Sequence, residues 1–418
     1  MYKYLFFLLL LNNTVEAQKP KNDIIERSGL GNFVWKLKHN TNDTLNIAFF
    51  GGSITQAENG WRDKTFSWLQ HQYPHNKFKQ INAALGGTGS SLGVYRLNDQ
   101  VLKYKPDLLF VEFAVNDFDF SRTNILTSME GIVRKTFAAN GKTDICFVYT
   151  ITENMYRLYN NDSVPGSIQT MEEVARYYNI PSINLGLNIV RLANEKTLFI
   201  KGSQPFSNDS CFFSNDGVHP YSETGHQQYF KTISTALNQL FAKEIVSKHV
   251  KVKPYYSDGL QNSTIMDVQP YMLKGNVESI KKFPEDIAQK FIANMPNTYL
   301  LSDTIQQIAF SFTGNQIGFM DVLAPSSAQI VVYIDKDAPR YINRFDKYCF
   351  YFSRVHWFFI DGLTNGKHHI SIKIAAKQPD KFLLLEEGKE KSALDKPEEF
   401  GKHIWRVGKI LVNEKLQQ

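Results

Sequence analysis

Between Leu45 and about Lys248, short apolar runs alternate with stretches whose apolar residues recur at helical spacing. The runs are "LNIAFF", "FKQINAA", "DLLFVEFAV", "DICFVYTI" and "IPSINLG". Helical patterns lie between them, near "KTFSWLQHQY", "LGVYRLNDQVLKY", "ILTSMEGIVRKTFAA" and "GSIQTMEEVARYY", and "TGHQQYFKTISTALNQLFAKEI" closes the series. A strand that is apolar throughout, rather than at alternate positions, is buried on both faces, which happens when helices cover a parallel sheet from both sides. The pattern predicts a doubly wound α/β domain.

After "VKVKPYYSDGLQNST" the texture changes to short β-rich runs with turn signals, as in "QIAFSFTGNQIGFMDVL", "AQIVVYID", "HWFFIDGLTNGKHHISIKIAA" and "HIWRVGKILVN". Asn-Gly and Asp-Gly pairs between such runs favour tight hairpins, and their repetition predicts an antiparallel β-sandwich. The expected organisation is an α/β domain over residues 18–250 and a sandwich domain over 262–418. No internal repeat or low-complexity tract interrupts it.

The first residues add an export signal over 1–17: Met1-Tyr2-Lys3, the apolar run "YLFFLLLL", then "NNTVEAQ" with a Val-x-Ala cleavage site ending at Ala17. The apolar run is shorter than the roughly 20 residues a membrane span needs, and no cysteine follows the cleavage site to take a lipid. The expected location is secreted or periplasmic, without stable membrane insertion. Cys146, Cys211 and Cys349 are an odd set, so at most one bridge forms within the chain. The sequons at Asn42, Asn161, Asn208 and Asn262 matter only in a eukaryotic secretory route and carry no weight. With 43% hydrophobic and 21% charged residues in 418, the chain is ordinary globular material. Its net charge of +6 is scattered, and without a clustered basic face nucleic acid is not an expected partner.

In open parallel sheets ligands bind at the carboxyl ends of the strands. Three such places carry polar or glycine-rich sequence: Gly51-Gly52-Ser53 after "LNIAFF", "NAALGGTGSS" from Asn82 to Ser91, and "FVEFAVND" ending in Asn116 and Asp117. A fourth segment, "SNDGVHPYSETGH", puts Asp216 three residues before His219. An unassisted serine hydroxyl is a poor nucleophile; it needs a base and a group that orients the base. Asp216 and His219 on one loop supply both to Ser53. By itself, Ser53 also reads as the cap of a following helix, and the expectation is that it serves both roles.

These four blocks make the chain resemble the SGNH, or GDSL-type, hydrolase family: "GGSIT" matches its Gly-Asp-Ser block, "NAALGGTG" its glycine block, "VND" its asparagine block and "DGVH" its Asp-x-x-His block. The resemblance covers about the first 250 residues and implies a flavodoxin-like SGNH fold. It implies Ser53 as nucleophile, His219 as general acid and base, and Asp216 as the group that orients the histidine. It also implies an oxyanion hole formed by the amides of Ser53 and Gly87 and the Asn116 side chain, with Gly86 and Gly89 competing for the second amide. Two positions depart from the family pattern: Gly52 stands where aspartate is usual, and Ala114 where glycine is commoner.

Other polar residues have plainer readings. His226 is expected to be structural, because no acidic or cysteine cluster of metal spacing accompanies it, and neither a catalytic metal nor a cofactor is expected. Glu112, inside an apolar strand, is expected to be a buried partner of an arginine or amide; Arg96 is equally out of place. Trp61 and Arg62 in "GWRDKTF" are candidates for a substrate wall. The β-rich half resembles the small sandwich modules attached to carbohydrate esterases, and Trp357, Tyr348 and Trp405 are its candidates for stacking on sugar rings.

The expected function is a secreted serine esterase that removes O-acetyl groups from a carbohydrate or polysaccharide. The alternatives are a lipase or other acyl esterase, an acyltransferase on the same fold, and a non-catalytic carbohydrate-binding protein.

Overall fold

The computed structural model describes residues 22–39, 42–246, 249, 253–256, 259–281, 283, 295–389, 393–413 and 415–417. The export signal expected over 1–17 lies outside them. No helix among the described residues is long and apolar enough to cross a membrane.

The chain divides into two compact units that do not simply follow its order. The first comprises residues 1–90, 104–129 and 140–255, and the second 91–103, 130–139 and 256–418.

The first unit is built on strands β1 (Ile24–Ile25), β2 (Thr44–Gly51), β3 (Lys77–Asn82), β4 (Leu108–Glu112), β5 (Asp144–Tyr149) and β6 (Ser182–Asn184), in the order β1-β6-β5-β4-β2-β3. All neighbours are parallel except β1, which runs antiparallel to β6 at the edge. Strands β4 and β5 are buried at every position, as their unbroken apolar sequence requires. The order is flavodoxin-like. Its chain reverses direction of winding between β2 and β4, and the crevice at their carboxyl ends is where such sheets bind ligands.

Nine helices among the described residues accompany these strands in sequence: α1 (Gly31–His39), α2 (Ser53–Gln56), α3 (Trp61–Gln72), α4 (Ser90–Gln100), α5 (Arg122–Ala139), α6 (Glu153–Asn160), α7 (Gly166–Tyr177), α8 (Leu185–Asn194) and α9 (Gly225–Phe241). Most of α4 and the second half of α5 belong to the second unit. A small three-stranded sheet, β7 (Phe199–Lys201), β8 (Phe206–Ser207) and β9 (Ser210–Ser214), leads into the segment that carries Asp216 and His219. The core of the first unit includes a ring cluster: Phe49 lies 5.1 Å from Phe110 and 5.6 Å from Trp61 between centroids. Each such pair contributes about 0.5–1.5 kcal/mol beyond its buried area.

The second unit holds two antiparallel sheets. One contains β10 (Ser263–Asp267), β12 (Glu278–Ile280), β13 (Thr298–Leu301), β15 (Ile317–Leu323), β18 (Arg354–Ile360) and β20 (Trp405–Asn413). The other contains β11 (Leu273–Lys274), β14 (Gln307–Gly314), β16 (Gln329–Ile334), β17 (Arg340–Asn343), β19 (Gly366–Ile374) and β21 (Lys415–Gln417). Inward residues of both sheets, among them Phe310, Phe312, Phe319, Ile370 and Trp405, form one core, so this half is a sandwich. Within the same unit, buried Lys135 on α5 donates to the carbonyls of Val94 (2.6 Å) and Ser263 (2.7 Å), tying two helices to the first strand of the sandwich. All three cysteines are free.

Candidate active site

Strand β2 ends at Gly51, and Gly52 caps α2 with φ −94° and no side-chain cap bond. Ser53 is therefore the first helical residue rather than the cap, a correction to the dual role expected for it. Its hydroxyl is spared for another partner: Ser53 Oγ lies 2.9 Å from His219 Nε2. On the far side of the ring, His219 Nδ1 lies 2.7 Å from Asp216 Oδ2. The other Asp216 oxygen accepts the backbone amides of Val218 and His219, both at 2.8 Å. Burial by itself would raise the Asp216 carboxyl, but the bonds from the His219 ring and from the two amides outweigh it and hold the group below the usual range.

The loop that carries this pair is fixed from outside. Gly217, at φ +82°, turns the chain in a region that favours glycine. Its amide donates to Ser214 Oγ at 2.9 Å, and its carbonyl accepts the Glu153 amide at the start of α6 at 2.7 Å.

Around Ser53 stand three hydrogen-bond donors without a partner among the described residues: its own amide, the Gly87 amide and the Asn116 carboxamide. Gly86, a competitor for the second position, is already engaged, since its amide donates to Gln56 Oε1 at 3.0 Å. Gly87 has φ +73° and nothing within 4 Å of where a Cβ would stand, so its surroundings are open. Gly89 is pressed against Asp117. The glycine at position 52 has a local cause as well: a Cβ there would overlap the Asn116 carboxamide.

The glycine loop is held at both ends. Gln56, on the same short helix as Ser53, takes the Gly86 amide. At the other end, Asp117 Oδ1 accepts the Ser90 amide at 2.9 Å. Asp117 is fully buried and its second oxygen has no partner. Burial pushes its carboxyl up to about 7, the bonds from Ser90 work against this, and Glu112 adds to it. Glu112 itself accepts the hydroxyls of Thr55 and Thr150, each at 2.7 Å, and so ties α2 to the ends of β4 and β5. Its partners are threonine hydroxyls rather than the expected arginine or amide. Burial raises its carboxyl, with the two threonine bonds opposing.

Trp61 and Arg62 do not form a substrate wall. Trp61 is 0% exposed and packs on Phe49 and Phe110. Arg62 is 4% exposed and donates to the carbonyls of Thr55 (2.9 Å), Gln56 (3.3 Å) and Ala57 (3.2 Å). These are the orphan carbonyls at the end of the nucleophile helix, and a guanidinium satisfies them while complementing the helix terminus. His226 accepts the Trp61 amide at 3.1 Å, and burial lowers its ring to about 3, so it is a neutral acceptor at the start of α3. Arg96 is buried in the second unit and donates to Gln100.

The sandwich aromatics divide. Trp405 is 0% exposed and its indole donates to Asp321 at 3.0 Å, so it belongs to the core and is unavailable for sugar stacking. Trp357 is half-buried and stacked on His356, and only Tyr348 is well exposed.

Gln56 is the positioning residue that sequence reasoning passed over, while the sequence marks Asp117 only as the polar end of an apolar strand, without its role at Ser90. Gln56 lies inside the quoted stretch "FFGGSITQ", yet its partner is thirty residues away and no periodicity connects them.

The arrangement holds the kinds of group that acyl transfer requires: a hydroxyl, an imidazole beside it, a carboxylate on the far ring nitrogen and, nearby, donors unpartnered among the described residues. Residues 49–228 match the model of the GDSL-like lipase/acylhydrolase family. By class the chain is a carboxylic ester hydrolase. No curated protein matches the chain. Its fold is similar to the crystal structure of a two-domain esterase active on acetylated mannans, with TM-score 0.72 at 20% identity over 94% of this chain and 99% of that one. A structure of such an esterase co-crystallised with mannopentaose gives TM-score 0.69 at 20% identity over 95% and 98%. At this identity the likeness is one of fold, and it spans both units.

Proposed function

We propose that the chain is a secreted serine esterase that removes O-acetyl groups from a polysaccharide. Ser53 is the nucleophile, His219 the general acid and base, and Asp216 the group that orients His219. The observation that carries this reading is the continuous line from Ser53 Oγ to His219 Nε2 (2.9 Å) and from His219 Nδ1 to Asp216 (2.7 Å).

Ser53 attacks the ester carbonyl while its proton passes to His219 Nε2. Asp216 fixes the ring tautomer and stabilises the imidazolium. The amides of Ser53 and Gly87 and the Asn116 carboxamide receive the negative charge that develops on the carbonyl oxygen. As the bond from the carbonyl carbon to the sugar oxygen breaks, His219 gives that oxygen its proton, releasing the sugar hydroxyl and leaving an acetyl-serine. Water, deprotonated by His219, attacks this ester, and acetate leaves as Ser53 regains its proton.

Three features support a carbohydrate ester. Beyond its two chain neighbours, no atom of the described residues lies within 4 Å of where a Gly87 Cβ would stand, which leaves room for a bulky sugar beside that amide. The family description covers acylhydrolases as well as lipases. A fold relative that matches both units is described as active on acetylated mannans. Export through the segment 1–17 would deliver the enzyme to such polymers, and residues 262–418 serve as its accessory domain.

The test is acetate release from a panel of acetylated plant and microbial polysaccharides, with Ser53→Ala beside the wild type. The variant is expected to lose activity by at least about three orders of magnitude. Acetate release by the variant at the wild-type rate would sink the mechanism. A preference for long-chain esters over acetyl esters would replace the substrate.

A further inference from the structure

The second unit contains an open cavity of about 520 Å³, lined by the loop after β15, the segment around Cys349–Ser353 and the segment from Lys396 to Arg406. It lies on the outer face of a sandwich sheet. Trp405 on β20 points into the core, so the next residue, Arg406, points the other way.

The cationic character of this cavity is built in. Arg406 is half-buried and donates to Ser326 Oγ at 2.9 Å; no carboxylate among the described residues pairs with it. Burial lowers its guanidinium from the ordinary value. Lys381 is also buried and donates to the carbonyls of Pro325 (2.9 Å), Phe400 (3.1 Å) and Lys402 (2.6 Å). It thereby pins two wall residues, Pro325 and Lys402, with a fixed positive charge. Burial lowers the Lys381 ammonium to about 8, and the nearby Arg406 charge adds to this. Arg406 and Lys381 repel each other and neither is paired with a carboxylate among the described residues, so an anion bound at Arg406 would offset that repulsion.

The rim supplies the rest. Tyr351 and Phe352 are 49% and 45% exposed, large apolar faces of the kind that pack against the C–H face of a pyranose ring. Ser326, Ser353 and the exposed Glu399 offer groups for hydroxyls. Glu398 and Glu399 at the rim disfavour a multiply charged phosphate compared with a single carboxylate. The chain's net charge of +6 favours approach of an acidic polymer.

We propose that this cavity is a second, non-catalytic sugar site that binds a hexuronate residue of an acidic polysaccharide, its carboxylate on Arg406 and its ring against Tyr351 and Phe352. The choice of a sugar over another carboxylate rests on the esterase reading above; the anion site does not.

The test uses the full chain, titrated with trigalacturonate and with a neutral mannotriose. Trigalacturonate is expected to bind at least about tenfold more tightly than mannotriose, and Arg406→Gln to weaken it by about tenfold, the size of a lost charge-assisted bond. Tyr351→Ala and Lys396→Gln, both on exposed side chains, are expected to weaken it by about threefold or more and serve where Arg406→Gln does not fold. Turnover of a small soluble acetyl ester is expected to stay within about twofold in all three variants. Equal binding of the two trisaccharides overturns the proposal, as does unchanged trigalacturonate binding in the variants. Failure of the esterase reading would instead show as Ser53-independent turnover, with uronate binding intact.

Discussion

Each unit holds a histidine paired to an aspartate with the same geometry. His219 Nδ1 meets Asp216 at 2.7 Å in the first, and His368 Nδ1 meets Asp335 at 2.7 Å in the second. In both, the other aspartate oxygen accepts a backbone amide, His219 in one case and His369 in the other. The difference lies at the opposite ring nitrogen. His219 Nε2 faces a hydroxyl, which can donate to it, whereas His368 Nε2 faces the Thr364 carbonyl at 2.8 Å, which can only accept. His368 satisfies both neighbours only when doubly protonated. Burial opposes that charge, but the bonds to Asp335 and Thr364 outweigh it and raise the ring above its ordinary value. The surroundings differ too: the side chains of His219 and Asp216 are 56% and 49% exposed, while His368 is 8% exposed. A His–Asp pair is thus not defined by itself; the group at the second nitrogen decides whether the ring can accept a proton there or must donate one.

The most forceful way to break this comparison is Asp216→Asn. It keeps the shape but reverses the tautomer preference, and turnover is expected to fall by about three to four orders of magnitude in steady-state ester hydrolysis. A loss of less than about tenfold would make the two pairs equivalent. Next in size is Asn116→Ala, which removes one donor from the proposed oxyanion site. Its kcat is expected to drop by about two to three orders of magnitude, and a loss below about threefold would remove Asn116 from that role.

Gln56→Ala sharpens the comparison further, because it touches neither reacting atoms nor the histidine. With the Gly86 amide released, Gly87 loses its fixed position, and kcat is expected to fall by about tenfold with KM within about twofold. Gln56→Glu, which keeps an acceptor for that amide, is expected to recover most of the loss. A change in KM alone would give Gln56 a role in substrate binding instead.

The smallest effect belongs to the second pair. His368→Gln is expected to leave ester hydrolysis unchanged and to lower Tm by a few degrees. Because the folded-state value of His368 is raised, its stabilisation is full below the unfolded value near 6.5 and is lost as pH rises through the folded value. The Tm deficit of the variant should therefore be largest below the unfolded value near 6.5 and shrink as pH rises through the raised folded value. A deficit independent of pH would show that packing, not charge, is what His368 contributes.

Much of the first unit was legible because burial on both faces leaves a simple trace. "DLLFVEFAV" and "DICFVYTI" contain strands buried at every position, and little else in a soluble chain has that composition. Helix α8 was harder to see, since it follows β6 without a break and its apolar residues merge with the strand's. In the sandwich, strands were legible but exposure was not. Trp405 and Tyr348 look alike as aromatic residues in β-rich sequence, yet one donates to a buried aspartate and the other faces solvent. The reading of Trp61 and Arg62 went astray for the same reason: their place beside the nucleophile segment does not reveal that α3 turns both side chains inward.

The sequence by itself determined the alternation that builds the parallel sheet and the four short blocks at its ends, because strand period and glycine placement are local constraints on the backbone. It also determined which residue types were available as nucleophile, base and orienting acid. Only the tertiary structure decided that Gly52 caps the helix so that Ser53 is free, and that Gln56 occupies Gly86 and leaves the Gly87 amide open. Only it set His219 against a hydroxyl and His368 against a carbonyl. These choices rest on contacts between residues far apart in the chain, and a hydrogen bond of 3 Å has no counterpart in sequence spacing.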